Sequence, residues 1–416
     1  MTEPLRRRGP RPLPLHLSLL GLRAMAAMAS PDPRQMPNGT AWPQGWPSWN
    51  GGWPISKAGL AEAGRIADAL HAGGVPPEAF RRAVLHRLAH TDRALIAGIA
   101  AYRRHPYARD LDDPPLLWRE GASRLLDYGG TGPVVLFVPS LVNRAYVLDL
   151  MRGHSMLRWL AEQGVRPLLL DWGWPGEAER GFTLTDIIAG RLERALVAAP
   201  GPAVLAGYCM GGLLALAAAL RRPDRVRALA LLATPWDFAT GEEAARRARA
   251  MGAALPALEP MMEANGALPV DVIQMMFAGL DPFGVSQKFR AFAGIDPAHR
   301  RAALFVALED WLNDGVPLPA PVARQCIAGW YGRNEPATLA WRVAGQVVDP
   351  AAWAGPAFVA IPHRARIVPP ASARALAGRL PGATILEAAA GHIGMAAGSS
   401  AETVLWRPFR DWLRAL

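Results

Sequence analysis

The stretch Ala203-Val-Leu-Ala-Gly-Tyr-Cys-Met-Gly-Gly-Leu-Leu-Ala-Leu-Ala-Ala-Ala-Leu220 decides how the rest of the chain is read. It opens with a short apolar run, the pattern of a strand buried on both faces, and closes with an Ala/Leu-rich run, the pattern of a helix. Between them stands Gly207-Tyr208-Cys209-Met210-Gly211-Gly212. This is the strand–turn–helix setting of a G-x-S-x-G nucleophile elbow, with Cys in place of Ser. The turn is strained at the nucleophile, and small residues at Gly207 and Gly211 let strand and helix approach each other. The following helix points its N-terminal dipole at the thiol, which is expected to favour thiolate. The Met210 N–H is the expected first donor of an oxyanion hole.

Short apolar runs recur on both sides of this elbow. Val134–Val138, Pro167–Leu170 and Ala228–Leu232 flank it, and Ala357–Ile361 and Ala383–Leu386 follow after a long gap. Such runs separated by helical stretches predict a mostly parallel sheet flanked by helices, an α/β-hydrolase architecture. The core is expected at 129–236 and 351–416. The segment 237–350 has helical patterning without a convincing strand and reads as a helical cap insertion. Residues 57–128 read as a helical N-terminal region, from their Ala, Leu and Arg content and 3.6-residue spacing. Residues 1–56 read as an irregular extension, rich in Pro and Gly, with Trp42, Trp46, Trp49 and Trp53 expected to pack on the chain's own core.

The remaining site groups follow from the topology. A second oxyanion donor is expected in Pro139-Ser140-Leu141-Val142-Asn143-Arg144, near Leu141 or Val142. The general base should follow the last strand, where His392 sits in Ala390-Gly391-His392-Ile393-Gly394. His299 falls in the cap and His363 in the loop after 357–361, both expected at the surface. Cys326 lacks an activating context and is expected to be packed in the cap.

Composition narrows the function. In 416 residues, 51% are hydrophobic and 19% charged, which supports one large core or two smaller ones and excludes a disordered chain. The formal charge is +10, but 43 of the 45 basic residues are Arg and they are spread along the chain without a nucleic-acid reader motif. No nucleic-acid partner is expected. Two cysteines exclude a disulfide framework and fit a reducing compartment. No metal or other cofactor is expected, since the His and Cys residues have no ligand spacing. No transmembrane segment is expected, because no apolar run of about 18 residues is free of charge. Arg6-Arg7-Arg8 before Leu13–Leu22 has a signal-peptide flavour, but Pro12, Pro14 and His16 favour an amphipathic arm.

At this point the chain resembles the polyhydroxyalkanoate synthases, nearest the short catalytic subunit of the two-subunit type, within the α/β-hydrolase superfamily. The resemblance is carried by Val138–Leu150, by Leu170-Asp-Trp-Gly-Trp-Pro175, by the Cys-containing elbow, by Asp310-Trp-Leu-Asn-Asp-Gly315 and by Gly391-His-Ile-Gly394. It implies a Cys209 nucleophile that accepts a 3-hydroxyacyl group from coenzyme A, His392 as base, and an Asp that helps activate the incoming 3-hydroxyl. It also implies a cytoplasmic enzyme on polymer granules, as a homo-oligomer or with a second subunit.

The Asp is missing. In Pro362-His-Arg-Ala-Arg-Ile-Val-Pro-Pro370, registering on Ile367-Val368-Pro369 puts Ala365 where the family carries its acid. Between Ile361 and His392 the only carboxylate is Glu387. Asp237, in Thr234-Pro-Trp-Asp237, is one candidate replacement; a Cys–His dyad is another. Three readings stay open: an acyltransferase impaired by Ala365, a thioesterase, esterase or polyester depolymerase on the same fold, and a catalytically weak granule-associated or accessory protein.

Overall fold

The computed structural model describes residues 7–29 and 57–416. The six apolar runs all form strands, as β3 (Val134–Val138), β4 (Arg166–Asp171), β5 (Ala203–Tyr208), β6 (Val226–Leu232), β11 (Ala357–Pro362) and β12 (Thr384–Ala388). Two more, β1 (Leu116–Glu120) and β2 (Ser123–Asp127), complete an eight-stranded sheet of order β1-β2-β4-β3-β5-β6-β11-β12. The pairs from β4 to β12 are parallel, and β1–β2 and β2–β4 are antiparallel.

The sheet is buried on both sides. Along β5, Ala203 and Leu205 face one apolar cluster and Val204, Ala206 and Tyr208 face another, as strand alternation requires. The first cluster takes in the helix Met210–Arg221; the second takes in Met156, Leu157 and Leu160 and the C-terminal Phe409 and Leu413. A strand with no exposed face has no polar position, which is why β5 reads as a continuous apolar run.

Three expectations about organisation are corrected. Helices Lys57–Ala72 and Pro77–Arg104 occupy the region read as helical, but it ends in the edge strands β1 and β2. Their sequences, Leu-Leu-Trp-Arg-Glu and Ser-Arg-Leu-Leu-Asp, are half polar because an edge hairpin need bury only one face. The extension read as irregular contains a helix, Leu13–Ala29. Pro14 lies in its first turn, where a missing N–H costs nothing, so it starts this helix rather than breaking it. The cap segment is helical as expected but also holds two-residue strands: β7 (Ala267–Leu268) pairs with β8 (Leu318–Pro319), and β9 (Arg342–Val343) with β10 (Gln346–Val347). The four Trp residues at 42, 46, 49 and 53 lie outside the described residues.

The chain divides into two compact units. One comprises residues up to Pro12, Tyr102–Pro282 and Ile295–Leu416, and holds the whole sheet. The other comprises Leu13–Ala101 and Phe283–Gly294, so one helix of the segment read as cap groups with the N-terminal helices. Within this second unit, Gly98 presses the helix Pro77–Arg104 onto the helix Gly284–Phe292: a Cβ there would sit 1.9 Å from the Phe289 carbonyl oxygen. Gly98→Ala is therefore expected to destabilise this unit by about 2–4 kcal/mol. Hydrogen exchange should show protection lost in both helices while β3, β5 and β6 stay protected; unchanged protection in the helices would refute the contact.

Candidate active site

Cys209 follows β5 at φ 56°, ψ −127°, the strained conformation expected of an elbow nucleophile. Its N–H is anchored to the Leu232 carbonyl of β6 at 2.8 Å. The glycines have a measurable reason. A Cβ on Gly207 would lie 2.3 Å from Gly212 Cα, one on Gly211 2.1 Å from the Val138 carbonyl oxygen, and one on Gly212 1.8 Å from Thr234 Oγ1. Gly212 is a requirement that the elbow pattern alone did not single out.

The loop after β3 is fixed from two directions. Trp172 Nε1 donates to the Pro139 carbonyl at 3.0 Å, Trp311 Nε1 to the Arg144 carbonyl at 2.7 Å, and Val316 N–H to the Val142 carbonyl at 3.0 Å. The Trp172 and Asp310–Gly315 segments thus brace the loop that holds Leu141, which is itself buried. Asp310 is held by Arg7 at 2.6 Å and by the Tyr102 hydroxyl at 2.8 Å, while Asp314 accepts from the Tyr146 hydroxyl at 3.1 Å. These acids are structural.

His392 follows β12 and reaches the nucleophile's neighbour. The Tyr208 hydroxyl donates to the His392 carbonyl at 3.2 Å, and the two rings lie 5.5 Å apart. His392 is 7% exposed, and its Nδ1 has no hydrogen-bond partner among the described residues. Asp237 does not fill that position: its Oδ1 accepts from Ala239 N–H at 2.9 Å and from Asn334 Nδ2 at 2.8 Å, holding the loop between β6 and the cap. Glu387 is bound by Arg374 at 2.8 and 3.0 Å and by His363 Nε2 at 3.0 Å, both on the exposed side. The Ala365 loop lies against the His392 loop, with His363 N–H donating to the Ala388 carbonyl at 2.9 Å and Arg364 N–H to the Ala390 carbonyl at 3.3 Å.

Burial sets the electrostatics, and it corrects the expectation of a resting thiolate. Desolvation pushes the Cys209 thiol up to about 12, and the Met210 N–H bond to the sulfur, which acts the other way, is the smaller effect. Burial likewise pulls the His392 imidazole down to about 4. Both shifts favour the neutral thiol and the neutral imidazole, although Cys209 itself is only half-buried. Tyr331, from the π-helical turn Gln325–Gly332, also faces this region: burial first, then the Cys209 and Cys326 sulfurs, raise its phenol. Its ring meets Phe238 edge-on at 4.8 Å. Nothing in the sequence pattern marked Tyr331, since it belongs to an apolar cap helix. Cys326 is buried and inert, and His299 is exposed and caps the helix Arg300–Asn313 through Nδ1, as expected for both.

Among the described residues no group of three His, Cys, Asp or Glu could hold a metal, and no helix is long and apolar enough to cross a membrane. Residues 133–255 match the alpha/beta hydrolase fold family. The chain is 27% identical over 311 residues to the poly(3-hydroxyalkanoate) polymerase subunit PhaC of Haloferax mediterranei, across 71% of this chain and 63% of that one. It is 28% identical to the PhaC subunit of Synechocystis sp. across 67% of this chain and 77% of that one. The PhaC subunit of Allochromatium vinosum is 29% identical, with 67% and 80% covered.

Two measurements check these electrostatics. With its thiol raised by desolvation, half-buried Cys209 should be labelled by iodoacetamide at pH 8 more slowly than a fully exposed thiol. Labelling as fast as an exposed thiol would mean that the burial is wrong. Between pH 6.5 and about 4 the unfolded chain takes up a proton on His392 that the folded chain refuses, so stability present above pH 6.5 falls through that window by up to about 3 kcal/mol. His392→Gln should flatten this part of the profile of urea midpoint against pH; an unchanged profile would exclude a buried neutral His392.

Proposed function

We propose that this chain, a polyhydroxyalkanoate synthase-like enzyme of the α/β-hydrolase superfamily, takes 3-hydroxyacyl groups from coenzyme A thioesters onto Cys209 with a Cys209–His392 dyad. The observation that carries the reading is Cys209 itself, held at φ 56° at the start of a helix with buried His392 beside the adjoining Tyr208.

In the first half-reaction Cys209 Sγ attacks the thioester carbonyl while its proton passes to His392 Nε2. The oxyanion is held by the Met210 N–H and by an N–H of the braced loop at Leu141. Collapse breaks the carbon–sulfur bond to coenzyme A, and the departing thiolate takes the proton back from His392. The product is an acyl-thioester on Cys209 and free coenzyme A. The resting thiol is neutral, so the base acts as the bond forms rather than by prior ionisation.

Chain growth would require His392 to take a proton from an alcohol, a weaker acid than a thiol. The orienting acid matters more there, because it stabilises the imidazolium that must form. With Ala365 at the family's acid position and Asp237 and Glu387 engaged elsewhere, acylation is expected to outrun elongation. A granule-bound, cytoplasmic location and a second subunit belong to this reading through the resemblance to the synthases.

The test is incubation with 3-hydroxybutyryl-CoA, following coenzyme A release, polymer and free acid together. A stoichiometric burst of coenzyme A, lost in Cys209→Ala, with little polymer is expected. Ala365→Asp should raise polymer formation about tenfold or more. Free acid as the main product would make the protein a hydrolase, and coenzyme A release surviving Cys209→Ala would end the proposal.

A further inference from the structure

We propose that Arg7, on the stretch of chain before the helix Leu13–Ala29, is a positioning residue for the oxyanion loop and acts through Asp310 and Trp311. The proposal rests on the reading above that an N–H of the loop at Leu141 holds the oxyanion.

Every nitrogen of the Arg7 guanidinium is engaged. Nε and Nη2 make a two-point bond with Asp310, at 2.7 Å to Oδ1 and 2.6 Å to Oδ2. Nη1 donates to the His105 carbonyl at 2.7 Å, and Nη2 also to the Tyr107 carbonyl at 2.5 Å. The group lies 5.7 Å from the centre of the Tyr102 ring and 5.9 Å from that of Tyr107. Only 14% of the Arg7 side chain and 19% of the Asp310 side chain are exposed. A planar fork saturated by one carboxylate and two carbonyls fixes a geometry, which a loose surface pair does not. Arg11 adds to the fastening: its N–H donates to Asn313 Oδ1 at 3.0 Å and its Nη1 to the Asn313 carbonyl at 3.1 Å. The stretch from Arg7 to Arg11 thus ties down the last turn of the helix Arg300–Asn313.

That turn carries the brace of the loop. Trp311, next to Asp310, is buried and donates to the Arg144 carbonyl at 2.7 Å. Just beyond the helix, Gly315 bridges to Asn143, and Val316 N–H donates to the Val142 carbonyl at 3.0 Å. Arg7, the braced loop and the elbow all belong to the compact unit that holds the sheet. Without Arg7, Asp310 would keep the Tyr102 hydroxyl at 2.8 Å but lose its cation. A largely buried carboxylate without its cation is costly. The turn relieves that cost by moving toward water, which draws the Trp311 indole away from Arg144 and loosens the loop. Oxyanion donors act by being in place before charge develops, so the loss should appear in turnover and not in substrate affinity.

The experiment compares Arg7→Ala, Asp310→Ala, the double variant and Arg166→Ala in the full-length chain. Arg166→Ala breaks a similar two-point pair, with Asp127, at the end of β4 away from the elbow. Hydrogen exchange and coenzyme A release from 3-hydroxybutyryl-CoA are measured on each. In Arg7→Ala, residues 139–144 and 311–316 should exchange at least tenfold faster. Its kcat should fall about tenfold to a hundredfold with KM within twofold. Asp310→Ala should behave alike, and the double variant should be no slower than either single one. Arg166→Ala should leave both readouts unchanged. Arg7→Lys, which keeps the charge but not the fork, should lie between wild type and Arg7→Ala, and replaces Arg7→Ala if that variant does not fold. Unchanged exchange in residues 139–144, an effect on KM alone, additive losses in the double variant, or an equal loss in Arg166→Ala would each overturn the proposal. A wild type that releases no coenzyme A would end the acyltransferase reading instead, and exchange at the loop would still decide whether Arg7 holds it.

Discussion

Everything at this site depends on how closely the backbone packs around the elbow. Three strands end within contact of one another: β3 at Val138, β5 at Tyr208 and β6 just before Thr234. What lets them meet is the lack of side chains at Gly207, Gly211 and Gly212, whose absent Cβ atoms would lie 1.8–2.3 Å from neighbouring atoms. That approach fixes Cys209 at positive φ, places the loop of Leu141 against the helix start, and sets where the chain leaves the sheet for the cap. A single methyl group at any of the three would push nucleophile, oxyanion donor or cap away from the others. The bracing Trp172 and Trp311 then hold the loop of Leu141 through its carbonyls.

The second determinant is dryness. A thiolate–imidazolium pair inside an apolar cluster would need compensation for two desolvated charges, and the structure offers a single N–H to the sulfur. The neutral pair is the cheaper resting state. A thiol pays less for that choice than a hydroxyl, since it remains nucleophilic with proton transfer concerted with attack. Cysteine in the elbow and apolar burial around it are therefore consistent choices, and the strain at Cys209 is the part of the arrangement that the fold must support elsewhere.

Legibility in the sequence followed burial. β3, β4, β5 and β11 have no exposed residue, so each is a near-continuous apolar run, while the edge strand β12 exposes Thr384, Ile385 and Glu387; the elbow between β5 and its helix is a local pattern of glycines. The places of Cys209 and Met210 after β5 and of His392 after β12 follow from strand order; their catalytic roles belong to the proposal. β1 and β2 were missed because an edge hairpin buries one face and mixes Arg, Glu and Asp with Leu. The helix Leu13–Ala29 was missed because its proline was read as a stop, although a first-turn proline does not interrupt an N–H ladder. Tyr331 and the charge state of Cys209 were not readable at all. Both depend on which residues the cap brings over the elbow, a long-range packing result that no local spacing encodes.

Under the proposed Cys209–His392 mechanism, the absence of an acid at position 365 would have an asymmetric consequence. Burial already makes His392 a weak base, and a base of that kind takes a proton efficiently only when the transition state gives it something in return. Thioester exchange does, because thiol and leaving group are chemically alike and the proton is returned to coenzyme A in the same cycle. Attack by an alcohol does not, because the imidazolium must persist while a poorer acid is deprotonated, with no anion of the chain near Nδ1 to stabilise it. On the proposed reading, the same elbow, oxyanion loop and imidazole would support acylation and starve elongation, with one carboxylate at one position separating the two.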